Sequence, residues 1–161
     1  MLNMKKFTVK KITNFNRINL DKCVSWMYNW WGKAEGWSKE KVITYMKASF
    51  NDTILPQTII AFNEKNEEVG MCQVTLHDLD CRPDIYPYIA NLFIDESYRG
   101  NGLVKLLLDK AIQVARENNL SHLYIFTAHT GLYEKYGWKF IGYTETYLNP
   151  HIQRLYKYDL I

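Results

Sequence analysis

The sequence predicts an α+β fold: a mixed central sheet, mostly antiparallel with one parallel crossover, flanked by helices. Three observations predict it. Short apolar or alternating runs recur along the whole chain, separated by turns rich in Asn, Asp, Gly and Pro, and most can pair with a sequence neighbour. One long amphipathic pattern, Leu103 to Ala115, stands between two such runs, Tyr88–Ile94 and His122–Phe126, and so ties them together as a local parallel pair. At 161 residues the chain can bury one core without disulfides or metal, so residues 1–161 are read as a single domain.

In order, Phe7–Ile12 alternates as a first strand. Asn19 or Asp21 can cap a helix through Cys23, Val24, Met27 and Trp30-Trp31, which Gly32 and Gly36 interrupt. Ser38, with Glu40 in the first turn, starts a second helix presenting Val42, Ile43, Met46 and Phe50. After Pro56, Thr58–Phe62 and Val69–Leu76 form a hairpin around the polar turn 63–68. The following loop, His77 to Pro87, carries Asp78, Asp80 and Asp84 and is stiffened by Pro83 and Pro87. It reads either as a plain surface excursion or as an acidic loop with a task. Beyond the crossover, Thr127–Gly131 is a loop and Leu132–Tyr136 a short helix with Gly137 as C-cap. Trp138–Tyr143 and Ile152–Leu160 are the last strands, joined through Asn149-Pro150.

Twenty Lys plus Arg against seventeen Asp plus Glu leave a net charge of +3 with the signs interspersed, so no basic stripe for nucleic acid is visible. Cys23, Cys72 and Cys81 have no paired metal spacing, and no metal site is expected. The opening Met1–Lys6 is followed by no apolar segment long enough for export or a membrane span, which places the chain in a reducing cytoplasm with no membrane partner. Five Trp, twelve Tyr and seven Phe favour a cleft for a partly apolar ligand without naming it.

The chain is organised around Tyr98-Arg99-Gly100-Asn101-Gly102-Leu103-Val104, a glycine turn that opens directly into the amphipathic helix. Strand, glycine turn and helix make an anion site. The backbone turns tightly, the first helical turn leaves its N–H donors unpaired, and the helix dipole is positive there. Arg99 adds a charge-assisted contact, and read alone the same residues also suit a merely structural turn.

Two stretches carry a resemblance. Asp95 to Val104 resembles the Arg/Gln-x-x-Gly-x-Gly/Ala signature of the GCN5-related N-acetyltransferase (GNAT) superfamily through Arg99 and Gly102. Leu132-Tyr133-Glu134-Lys135-Tyr136-Gly137-Trp138 resembles its Leu-Tyr-Glu-Lys-x-Gly-Phe pattern. The resemblance implies a GNAT fold and an acetyl-CoA site. Amides of Arg99, Gly100, Asn101, Gly102, Leu103 and Val104 would hold the diphosphate, the pantetheine would run along Leu92-Phe93-Ile94, and Thr127, at the start of the loop after the next strand, would contact the cofactor. The thioester would sit where these strands splay, and Tyr133 would be the general acid toward the leaving thiolate. The match departs at Val104, where the family has Gly or Ala, and in the short loop through Ala128, His129 and Thr130, which lacks the family's asparagine.

A phenol keeps its proton at neutral pH and can give it to a developing thiolate, whereas Tyr133 read without the family is a core tyrosine. The Leu92-Phe93 backbone is the expected oxyanion donor. For the proton of the attacking amine, Asp80 and His77 are the candidate catalytic groups, with Asp78 and Asp84 drawing in a cationic acceptor and Asn91 orienting it. Among the tryptophans, Trp26 and Trp30 are expected to pack and Trp31 or Trp37 to face the cleft. The expected activity is acetyl transfer to a primary amine of a small molecule by a monomer or homodimer. A peptide N-terminus as acceptor, a non-catalytic acyl-CoA sensor and a structural interaction protein are the alternatives.

Overall fold

The computed structural model describes residues 6–161. The reading of the leading Met1–Lys6 stretch therefore falls, apart from Lys6, outside the described residues. Seven strands, β1 (Thr8–Ile12), β2 (Gln57–Phe62), β3 (Glu68–Thr75), β4 (Tyr88–Ile94), β5 (His122–Thr127), β6 (Lys139–Glu145) and β7 (Ile152–Asp159), form one sheet in the order β1-β2-β3-β4-β5-β7-β6. Every pairing is antiparallel except β4 with β5, the predicted crossover pair. The last strand in sequence lies inside the sheet, between β5 and β6.

Helix α1 (Leu20–Met27) starts where its cap dictates, with the Asn19 side chain accepting the Lys22 N–H, and α2 (Lys39–Lys47) starts the same way from Ser38. The continuation of α1 differs from expectation. Residues Tyr28–Gly32 form a π-helical turn, closed by Lys33 N–H on the Tyr28 carbonyl at 2.8 Å. One extra residue per turn rotates the chain beyond Met27, so Trp30 and Trp31 do not continue the stripe that Cys23, Val24 and Met27 bury.

Helix α3 (Leu103–Glu117) covers one face of the sheet. Its Leu103, Leu107, Leu108, Ala111, Ile112 and Ala115 pack on Ile59, Ala61, Val69, Val74, Ile89, Leu123 and Ile125, the wide apolar face that the periodicity predicts. Each fully buried leucine or isoleucine there contributes about 1.5–3 kcal/mol relative to exposure. Helices α1 and α2 cover the other face, where Cys23, Val24, Met27, Val42 and Met46 meet Ile60, Phe62 and Met71. A third, smaller cluster lies beneath the His77–Pro87 loop, where Leu79 and Ile85 fold down onto Tyr88. No helix among the described residues is long and apolar enough to cross a membrane.

Candidate active site

The site begins at a break in the sheet. Along β3 the pairing runs Met71 to Phe93 and then Gln73 to Ala90, so Cys72 faces both Asn91 and Leu92, a β-bulge in β4. Asn91 sits at φ 53°, the left-handed region that Asn tolerates better than most residues. The bulge bends β4 away from β5. The two strands share the single register pair Tyr88–Tyr124, with Tyr124 N–H on the Pro87 carbonyl at 2.9 Å, and part beyond it. Leu92 and Phe93 are only half-buried as a result, whereas Ile94 is buried against α3.

Where β4 ends, Gly100 and Gly102 take φ 81° and 77°, and Gly102 is the N-cap of α3 with no side-chain cap. The first amide of this segment to find a backbone carbonyl is that of Leu106, on Gly102 at 3.5 Å. The N–H groups of Gly100 to Lys105 are left without a backbone partner among the described residues, at the positive end of a fifteen-residue helix. Arg99 is exposed beside them. Its Nε donates to the Ile94 carbonyl at 3.1 Å, and its guanidinium lies 5.7 Å from the Phe93 ring centre, which leaves its terminal nitrogens toward solvent. Val104 is half-buried against the core at the start of α3, compatible with the helix despite its departure from the family pattern.

Tyr133 opens a short 3-10 turn, Tyr133–Tyr136, that ends on Gly137 at φ 87°. The ring is 4% exposed, with Tyr156 at 5.6 Å and Trp138 at 6.3 Å. Burial pushes the Tyr133 phenol up, opposed by the Thr127 hydroxyl beside it, so the group keeps its proton throughout the neutral range. Thr127 is the final residue of β5 rather than the first of the loop, buried, and its Oγ1 accepts the His129 N–H at 3.1 Å. Ala128, His129 and Thr130 are exposed.

On the α1/α2 face the structure sorts the acidic loop. Asp84 is bound by Arg82 through two bonds, of 3.0 and 2.8 Å, and both face solvent. His77 is exposed, its ring 5.8 Å from that of Tyr86, and Asp80 is exposed. Asp78 is half-buried, and its carboxyl is pushed up to about 7, first by burial and then by the charges of Asp80 and Glu35. It is the carboxyl whose proton affinity suits a base near neutrality. Burial, and then the Asp78 charge, raises Tyr45 to about 12 and pushes Tyr88 up as well. The Tyr88 hydroxyl, at the point where β4 and β5 part, is buried and has no hydrogen-bond partner among the described residues.

The aromatic corner also departs from expectation. Trp26 packs as predicted, 5.4 Å from Phe93, and Trp30 lies against the same ring at 5.9 Å but is left 45% exposed. Trp31 is half-buried, and with Trp37 and Tyr45 it forms a cluster of mutually perpendicular rings at 5.0–5.6 Å. The π-helical turn is the reason, since it swings Trp30 outward and Trp31 inward. Three residues of this site, Glu35, Tyr45 and Gln73, carry no local sequence signal. Only the folded chain brings them to Asp78 and Asn91.

Two of the three cysteines are buried thiols held in the neutral form. Burial pushes the Cys72 thiol up and the Cys23 thiol up to about 12, while Cys81 is exposed with Sγ on the Glu145 carbonyl at 3.3 Å. Among the described residues there is no group of His, Cys, Asp and Glu that could hold a metal ion.

A bulged β4 splaying from β5, open amides at the head of α3 and a buried tyrosine on the turn after β5 are joined by a sequence match, over residues 23–138, to the Acetyltransferase (GNAT) family. The chain belongs to this family. Solved GNAT-type structures superimpose over nearly its whole length. An aminoglycoside 6'-N-acetyltransferase complexed with coenzyme A aligns with TM-score 0.71 at 13% identity, covering 96% of this chain and 97% of that one. A GNAT family acetyltransferase from Streptococcus pneumoniae gives 0.65 at 16%, covering 95% and 99%. One from Elizabethkingia anophelis with acetyl-CoA bound gives 0.63 at 19%, covering 96% and 98%. At these identities the likeness establishes the GNAT fold. No curated protein matches in sequence.

Proposed function

We propose that this GNAT protein transfers the acetyl group of acetyl-CoA to a primary amine of a small molecule, by direct transfer in a ternary complex. The observation that carries the reading is the parting of β4 from β5 beyond Tyr88–Tyr124, with the unpaired amides of Gly100 to Val104 at one end and the protonated Tyr133 phenol alongside. These residues fit a long diphosphate thioester: amides for the anion, an open strand edge at Leu92-Phe93-Ile94 for an extended amide-bearing arm, and Thr127 beside it. When bound, acetyl-CoA supplies the acyl group and a thiol leaving group.

The chain's own work is positioning and proton transfer. The backbone at the β4 bulge donates to the carbonyl oxygen as negative charge gathers there. As the amine nitrogen bonds to the carbonyl carbon and the carbon–sulfur bond breaks, Tyr133 gives its proton to the sulfur. The proton lost from nitrogen goes to Asp78, which we prefer to Asp80 or His77 because those two stand in solvent. The aromatic corner of Trp31, Trp37 and Tyr45 walls the same side and suits an acceptor with a partly apolar body. All three cysteines are free, in keeping with a cytoplasmic setting.

Release of thiol from acetyl-CoA, screened across an amine panel that includes peptides with free N-termini, tests the reading. Amine-dependent release lost in Tyr133→Phe supports it. Release with peptides alone moves the acceptor to a protein N-terminus, and tight binding of acetyl-CoA with no turnover on any amine identifies a sensor instead.

A further inference from the structure

The side chain of Asn91 is spoken for. Its Oδ1 accepts the Trp31 indole N–H at 3.0 Å, and its Nδ2 donates to the Tyr45 hydroxyl at 3.0 Å and to Gln73 Oε1 at 2.7 Å. The chain of bonds continues inward. Tyr45 gives its hydrogen to Gln73 Oε1 at 3.3 Å, Gln73 Nε2 donates to Thr58 Oγ1 at 3.0 Å, Thr58 shares a 2.5 Å bond with Ser49, and Ser49 donates to the Met46 carbonyl at 2.5 Å.

The sense of these bonds is determined from the inner end. Ser49 spends its hydrogen on Met46, so Thr58 must give its own to Ser49 and accept from Gln73. The Gln73 oxygen then faces Asn91 and must receive from it. Turning the Asn91 amide over would set its NH2 against the Trp31 N–H and its oxygen against that of Gln73. Both Asn91 hydrogens are therefore used, and only the second lone pair of Oδ1 is left to face an acceptor molecule. The network joins the π-helical turn, α2, β2 and β3 to the one residue of β4 held at positive φ.

We propose that Asn91 is a positioning residue and not an acceptor ligand: its bonds to Trp31, Tyr45 and Gln73 hold the left-handed bulge that opens β4 from β5. The helical corner over the acceptor side thereby sets the direction of the backbone donors at Leu92-Phe93. Asparagine meets both demands, since it tolerates the left-handed region and supplies a two-way amide. The proposal rests on the acetyl-transfer reading for its kinetic arm and on the fold alone for its exchange arm.

The test uses Trp31→Phe, which keeps an aromatic ring and removes the donor, Asn91→Gly, which accepts positive φ without the bonds, and Asn91→Ala, which lacks both. The expected kcat falls in that order, by about tenfold for Trp31→Phe and more for the others, while in the two Asn91 variants the KM of the acceptor and the Kd of acetyl-CoA stay within about twofold. Hydrogen exchange of the amides of residues 90–94 in the ligand-free protein rises in the same order. A raised acceptor KM with kcat kept in the Asn91 variants would make Asn91 an acceptor ligand and overturn the proposal, as would unchanged exchange in all three variants. If the wild-type protein turns over no amine, the acetyl-transfer reading fails on its own, and the exchange measurement still decides the role of Asn91.

Discussion

Tyr156 donates its hydroxyl hydrogen to Glu134 Oε1 at 2.6 Å, and Arg154 closes the triangle, with Nε 2.7 Å from the same hydroxyl and a terminal nitrogen 3.5 Å from the carboxylate. Glu134 adjoins Tyr133, so β7 grips the short turn that carries the proposed acid. Tyr156→Phe keeps the ring stacked on Tyr133 but frees the turn, and kcat should fall several-fold with acetyl-CoA affinity little changed. The Tyr156 bond, helped by Arg154, holds the Glu134 carboxyl below its usual range. A depressed folded value contributes stability above the usual carboxylate range and loses it as pH falls through the lower folded value. Denaturant melts should therefore separate wild type from Tyr156→Phe at neutral pH and bring them together in acid.

Tyr133→Phe removes one oxygen from a buried ring. The expected result is a fall in kcat of about 100-fold or more, with acetyl-CoA binding by calorimetry within about twofold. Undiminished kcat would return Tyr133 to the core.

Asp78 makes pH the most direct probe of the acceptor side. With its carboxyl raised to about 7, kcat/KM should fall on the acid side with an apparent pKa near that value, and Asp78→Asn should lower kcat and abolish the limb. Stability moves the other way. A raised folded value means that the native state binds the proton more tightly than the unfolded chain, so wild type loses stability as pH rises from the ordinary carboxylate range through about 7. Asp78→Asn should melt higher than wild type above that pH, with the gap closing toward pH ~4.

Gly36 and Gly100 form a matched pair. Their φ angles are 75° and 81°, and a Cβ built on either meets nothing within 4 Å. Alanine at either site should cost about 1–2 kcal/mol from the backbone alone, read from thermal melts. Only Gly100→Ala should also weaken acetyl-CoA, because only its amide lies in the proposed diphosphate turn.

What could be read from the sequence was local. Asn19, Ser38 and Gly137 cap their helical segments because a short polar side chain or a glycine solves a problem within a few residues of itself. The apolar face of α3 repeats at helical spacing and needed no partner to be seen. The acceptor side was hidden because its bonds are distant: Asn91 reaches Trp31 across 60 residues, Tyr45 across 46 and Gln73 across 18. Asp78, Asp80 and Asp84 are equivalent along the loop. Burial of one, solvation of another and the Arg82 pair of the third separate them only after folding. The outward share of Trp30 has no signature in hydrophobic period, because it comes from a π-helical turn.

The position of β7 bears on how the protein is made. Residues 152–159 enter between β5 and β6, pairing with both, so β6 has no sheet neighbour until they arrive. During synthesis the half of the molecule built on β1 to β4 and α3 can assemble as it emerges, while Tyr133 waits for Tyr156 and Arg154. A ribosome stalled before residue 152 would thus display the β1–β4 and α3 half while the Tyr133 turn still lacks its anchor on β7.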